Sequence, residues 1–371
     1  MMWNRNESIA RIAASLGLML LMWMSAGAVN AQTCTYQTGN PYGAARFDAV
    51  APLNITALTI GRDVPDGTVL YNQTILARGN FLINCPGTVP STLMNQSLPV
   101  TPRALSSWNT GTYAGKVYET GVTGIGVAIW RGGVVFPGSY TLNNGSGLTW
   151  SIPSAFDISL IKIGPVSPGV ISGANLPTAQ FDAIGGTTLG LMRTRFTGNI
   201  QIVSQTCTTP DVAVDLGAHK VSEFSGTGSV TPWRNFSIRL QNCPAFYGRS
   251  ASLRNTDSAT GWVESNKTLN PNVLGFSLAP TTVTPLGFPG TVLPSRTSSG
   301  PKEATGVGIQ IADSGGSAVQ FNTVLPSGIT PTAVSGASYN IALQARYIQI
   351  TSGAPTPGPA NTSVLFTINY Q

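Results

Sequence analysis

Val364-Leu365-Phe366-Thr367-Ile368-Asn369-Tyr370-Gln371 closes the chain with a large apolar or aromatic residue at every second position. Successive side chains on a strand point to opposite faces, so Val364, Phe366, Ile368 and Tyr370 share one side. A strand this apolar at a chain end is an aggregation hazard unless something covers it. The same period of two recurs upstream. Val127 and Ile129 alternate with Ala128 and Trp130, and Val307, Ile309 and Ile311 alternate with Gly308 and Gln310. Turn-forming clusters separate these runs, as in Asn143-Asn144-Gly145-Ser146-Gly147 and Gly353-Ala354-Pro355-Thr356-Pro357-Gly358-Pro359. Beyond the first residues no stretch combines a helical period with capping signals. The expected fold class is all-β.

Composition agrees with a β-sandwich. Only 9% of residues are charged, while 42 Gly and 26 Pro supply turns. Met1 to Ala31 reads as a secretory signal peptide: Arg5 and Arg11 precede the apolar run Leu16 to Met24, and small residues lead to cleavage after Ala31. The run is short for a membrane anchor, and the mature chain is expected to be exported and soluble. Cleavage removes Arg5, Arg11 and Glu7, taking the net charge from +6 to +5. The remaining charges are scattered, which supports neither a nucleic-acid footprint nor a polybasic membrane patch.

About 340 mature residues exceed the usual size of a single core, so two domains are expected. Cys34 and Cys85 fall in one half, Cys207 and Cys243 in the other. Export favours disulfides, and of the possible pairings Cys34–Cys85 with Cys207–Cys243 keeps each bridge within a half. Each closed loop of this size contributes roughly 3 to 4 kcal/mol on a chain-entropy estimate. The seam is expected near Ile200 to Cys207, where an alternating strand runs into the third cysteine. This gives a signal peptide at 1–31, an N-terminal domain at 32–203 and a C-terminal domain at 204–371.

Catalytic machinery is not evident. His219 is the sole histidine and no two cysteines are close in sequence, which argues against a metal centre. Neither a Gly-x-Ser-x-Gly nor an HExxH pattern occurs, and Gly124-Ile125-Gly126 and Gly306-Val307-Gly308 do not complete a dinucleotide-binding loop. No cofactor is expected. Asp48, Asp63, Asp66, Glu119, Asp157 and Asp182 leave a hydrolase as a remote alternative, should two of them meet in space. For ligand binding, Trp130 offers a stacking face and Arg131, at the strand end before Gly132-Gly133, a partner for a carboxylate. Val117 and Tyr118 are candidates to line the same pocket.

From Cys207 onward the chain resembles the pilin domain of chaperone-usher fimbriae. The landmarks are Asp211 to Gly217, Phe236 to Pro244 around Cys243, Gly306 to Ile311, and Ala345-Arg346-Tyr347 followed by a Pro-Gly-rich turn and the alternating tail. The N-terminal half is similar, in patches, to the receptor-binding domain of two-domain tip adhesins, most of all the type 3 fimbrial adhesin. Those patches are Lys116 to Thr120, Gly124 to Gly126, Tyr140-Thr141, Phe156 to Lys162 and Ile200 to Cys207.

The resemblance implies two immunoglobulin-like sandwiches, the second lacking its last strand. It implies a groove that is filled first by a periplasmic chaperone and then by the N-terminal strand of an adjacent subunit, with an outer-membrane usher assembling the fibre. Gly358, Val364, Phe366, Ile368, Tyr370 and Gln371 are the residues carried over to that interface, with the carboxylate of Gln371 held by basic chaperone residues. A mature start at Gln32 leaves only Gln32-Thr33 before Cys34, so no donor strand is expected and the chain is placed at the fibre tip, on the bacterial surface. The implied function is attachment to a host matrix protein or glycan and biofilm formation. The alternative is a structural tip or minor subunit that binds no receptor.

Overall fold

The computed structural model describes residues 33–85, 91–143, 148–258, 261–296 and 300–371. The expected signal peptide lies outside the described residues. Regular structure among them is all strand, save single 3-10 turns at Gly111–Tyr113, Gly173–Asn175 and Val221–Glu223. The fold is all-β.

In the N-terminal half a five-stranded sheet runs in the order Gly138–Asn143, Ser91–Val100, Thr178–Gly185, Thr187–Thr197, Phe47–Pro52, the last pair parallel. A second sheet contains Val69–Leu76, Phe156–Lys162, Ile125–Arg131 and Tyr118–Glu119. Phe181 and Met192 from the first meet Val127, Ile129, Phe156 and Ile158 from the second in one buried cluster. The strand Ile125–Arg131 shows how the period of two decides placement: Val127 and Ile129 enter this core, while Ala128 turns to the outer face. There Ala128, Val117, Val135 and Ile161 form a small second cluster, against which Trp108, Tyr113 and Trp130 pack.

The C-terminal half is also a two-sheet sandwich. Arg234–Cys243, Ala337–Gln349, Val307–Asp313 and Thr291–Val292 form one sheet in that order. Leu325–Pro326, Leu274–Pro280 and Val364–Tyr370 form the other. Between them lies a separate core that draws on residues from Cys207 to Tyr370, including Leu240, Phe276, Leu343 and Ile368. Disulfides join Cys34 to Cys85 and Cys207 to Cys243, so each bridge ties down one core.

One element crosses the seam. The hairpin Arg249–Ser258 with Gly261–Asn270 belongs by sequence to the C-terminal half, yet Arg249–Ser258 pairs in parallel with Val69–Leu76 and extends the N-terminal sheet. The edge of Val69–Leu76 would otherwise present unpaired backbone groups. Leu253 enters the N-terminal core, Asn255 Nδ2 donates to the Pro52 carbonyl at 3.0 Å, and Arg78 Nε donates to Asp257 at 2.8 Å.

Candidate functional site

Every ladder bond of the terminal strand is made on one side. Val364–Tyr370 pairs antiparallel with Leu274–Pro280, from Pro280 opposite Val364 to Leu274 opposite Tyr370. Its other edge has no partner strand among the described residues. In the facing sheet Arg234–Cys243 is likewise an edge. Between these two edges a complete sandwich needs one more strand.

The gap is a groove of about 720 Å³. Its floor is the C-terminal core: Ile238, Leu278, Ile309, Ile311 and Leu343 are all buried against one another yet face the opening. Val364 and Phe366 form one wall, and Val212, Val214 and Leu216 of the segment 208–217 form the other. That segment makes one β-bridge, Thr208 to Gln241, and otherwise runs beside the groove without a ladder. Asp211 and Asp215 make the rim acidic. Tyr347, at the same rim, has its phenol pushed up, first by burial and then by the Asp215 carboxylate.

Burial changes along the terminal strand. Val364 and Phe366 are half-buried and line the groove, whereas Ile368 and Tyr370 are buried. Tyr370 is also held at its polar end, since the Cys207 N–H donates to its hydroxyl at 3.0 Å. Leu365, on the opposite face, is 64% exposed. The alternation read from the sequence is therefore present, with its first half open and its second half closed. Gln371 pairs through its backbone with Val273 in both directions, at 2.7 and 2.9 Å. Gly358 is not part of the groove lining. It fits against another chain segment, where a Cβ would stand 2.3 Å from the Lys302 carbonyl oxygen.

The four residues expected to share a ligand pocket are split between two faces. Val117 is fully buried in the small outer cluster, and Trp130 covers that cluster while its Nε1 donates to Ser159 Oγ at 3.0 Å. Tyr118 packs against the main core. Arg131 corrects the expectation of a strand-end cation free to meet a ligand: it is 6% exposed. Its guanidinium lies 4.9 Å from the Phe181 ring centroid and donates to the Tyr140 hydroxyl at 2.6 Å and the Pro153 carbonyl at 2.5 Å. The reason is parity, because Arg131 follows Ile129 by two positions and so points inward with it. Trp108 and Tyr113, which pattern reading passed over, join Trp130 as half-exposed aromatics on the outer face.

Five of the six candidate carboxylates are engaged by other side chains. Asp48 bonds Arg46, Asp63 bonds Arg62, Asp66 bonds Lys162, Asp157 accepts from Thr74 and Asp182 accepts from Gln180. His219 sits in a loop, bonded to Glu223 and the Leu216 carbonyl.

The pattern that defines the fimbrial protein family matches residues 194–371, the segment that contains the groove. A type 1 fimbrial subunit of Salmonella typhimurium is 30% identical over 165 residues, which cover 43% of this chain and 71% of that one. The chain belongs to the fimbrial protein family. Proteins of this family are components of a surface pilus and not enzymes. A fimbria adhesin protein of Klebsiella pneumoniae is 25% identical over 224 residues, covering 58% of this chain and 65% of that one. Among solved structures, the receptor-binding domain of a plasmid-borne adhesin of Klebsiella pneumoniae is similar at 21% identity, with 47% of this chain and 97% of that one covered and a TM-score of 0.33.

Proposed function

We propose that this fimbrial protein is a two-domain tip adhesin, with a receptor-binding domain over 32–203 and a strand-accepting pilin domain over 204–371. The observation that carries this is the terminal strand, paired on one edge only and set beside an apolar groove that reaches the core of its own sandwich. A strand laid into that groove bonds the free edge with its backbone and covers Ile309, Ile311 and Phe366 with its apolar side chains, so one segment repairs both defects. The donors are a periplasmic chaperone before assembly and the N-terminal strand of an adjacent subunit afterwards, with an outer-membrane usher making the exchange. Gly358, which lies outside the groove lining, is dropped from this interface.

The N-terminal half packs its sheets around one buried core, which suits a domain whose work is done at its surface. Its half-exposed aromatics Trp108, Tyr113 and Trp130 are the favoured contact face for a matrix protein or glycan. Attachment through that face places the chain at the fibre tip and gives the fimbria a role in biofilm formation.

The test is recovery from the periplasm with the chaperone of the same fimbrial system. Phe366→Asp puts a charge in the groove wall without touching the N-terminal half. The parent chain is expected to co-purify with the chaperone and the variant to be lost. Equal recovery as a free monomer of both chains contradicts the reading. For the receptor face, fimbriae carrying Trp108→Ala are expected to assemble normally and attach less well to matrix-protein or glycan surfaces; unchanged attachment removes that face.

A further inference from the structure

The free edge of the terminal strand is not free along its whole length. Gln371 exchanges backbone bonds with Val273 on the paired side. Alternate residues of an antiparallel strand direct their backbone groups to opposite sides, so Val364, Phe366, Ile368 and Tyr370 offer theirs to the open side. A loop of the N-terminal half occupies the inner end of that side. Asp63 N–H donates to the Tyr370 carbonyl at 3.2 Å, and Tyr370 N–H donates to Asp63 Oδ2 at 2.9 Å. Arg62 donates to the Ile368 carbonyl at 2.9 Å, is ion-paired with Asp63 at 3.1 Å and lies over the Tyr370 ring. Contact is close enough that only glycine fits at position 61, where a Cβ would stand 2.1 Å from the Tyr370 carbonyl oxygen. The outward groups of Val364 and Phe366 have no such partner among the described residues.

Resting on the groove reading, we propose that Gly61–Asp63 is a register stop. It imitates the last part of a neighbouring strand and halts an incoming one beside Ile368. The partner it fits is an extended segment that ends in a chain terminus and pairs with Val364 to Thr367, its apolar residues alternating to match Phe366 and the floor. A longer segment gains little, because the Ile368 carbonyl and both backbone groups of Tyr370 are already bonded within this chain. The stop also explains the burial gradient along the strand, with Val364 and Phe366 open and Ile368 and Tyr370 closed.

The experiment refolds the mature chain with synthetic peptides of alternating Thr and Val, 5, 7, 9 and 11 residues long (on the order of one strand length), and records the peptide concentration that gives half-maximal monomer. In the parent that concentration falls from the shortest peptide to the next and then stays level. In R62A/D63A, and separately in G61A, it continues to fall by about fivefold for each added Thr-Val pair, as expected for newly formed backbone bonds. The parent alone gives a second readout through amide exchange in its complexes. The Phe366 amide is protected by every peptide that binds, and protection at Tyr370 is the same with the shortest and the longest. Identical length dependence in parent and variants, or Tyr370 protection that grows with peptide length, overturns the stop and leaves the groove standing. Failure of every peptide to bind either chain overturns both.

Discussion

The two halves of this protein are built from the same material and finished differently. In the N-terminal half both sheets contribute to one core with Tyr71, Phe81, Phe136, Phe156 and Phe181 fully buried, and even the vacant edge of Val69–Leu76 is covered by a hairpin from the other half. In the C-terminal half the largest core side chains are fewer, and two sheet edges face each other across an apolar trough. The difference is not one of hydrophobicity. It lies in strand count, since one missing strand leaves side chains that belong to a core in contact with water. A half closed within the chain can present a surface, whereas an open half can be completed only by another chain.

Substitutions in the two cores should therefore respond differently to a strand peptide. The largest effect is expected from Phe81→Ala, which removes a fully buried ring packed against Tyr42 and Phe181. It should cost the N-terminal half about 3–5 kcal/mol, equally with and without peptide, in a denaturant titration followed by a probe in that half. A cost that depended on the peptide would break the separation of the halves. Next comes Arg131→Ala, which leaves the Tyr140 hydroxyl and the Pro153 carbonyl without their donor. The expected loss is about 1–3 kcal/mol in the same titration. A variant as stable as the parent would return Arg131 to the list of surface ligands.

Phe366→Ala should have the opposite profile. Phe366 is half-buried in the free chain, so its truncation costs about 1 kcal/mol or less there, but it should weaken peptide uptake roughly tenfold in a refolding titration. The smallest effect concerns pH. Burial raises the Asp182 carboxyl above its ordinary value, with Gln180 and two arginines opposing. The folded state thus binds a proton more readily than the unfolded chain, and this stabilising contribution is present in acid and lost as pH rises through the raised value. Asp182→Asn should be closer to the parent in stability, or less stable, below the ordinary carboxylate pKa, and gain on it toward neutral pH. A constant difference across that range would contradict the cause assigned to the shift.

Much of this contrast is legible in one dimension. The alternation of Val364 to Tyr370 identifies the strand and its inward face, and the spacing of the cysteines makes one bridge per half the economical pairing. Parity also contained the position of Arg131. Reading it as a strand-end residue, not as the next inward position after Ile129, put it on the wrong side. What the sequence does not show is long-range pairing. The hairpin at 249–270 and the loop at Gly61–Asp63 are distant in sequence from the edges they cover, and their local patterns carry no mark of a partner. Strand edges are satisfied by whichever backbone the fold brings alongside, so such contacts become visible only in three dimensions.

Differential calorimetry of the mature chain, refolded with and without a saturating seven-residue Thr-Val peptide (about one strand in length), tests the central claim most directly. Two transitions are predicted. That of the N-terminal half stays in place, while that of the C-terminal half is weak or lost to aggregation in the free chain and becomes cooperative with peptide, gaining about 2.7 kcal/mol at a hundredfold excess over Kd. A free chain that is monomeric, with both transitions sharp and neither moved by peptide, would mean that the C-terminal sandwich is complete as it stands.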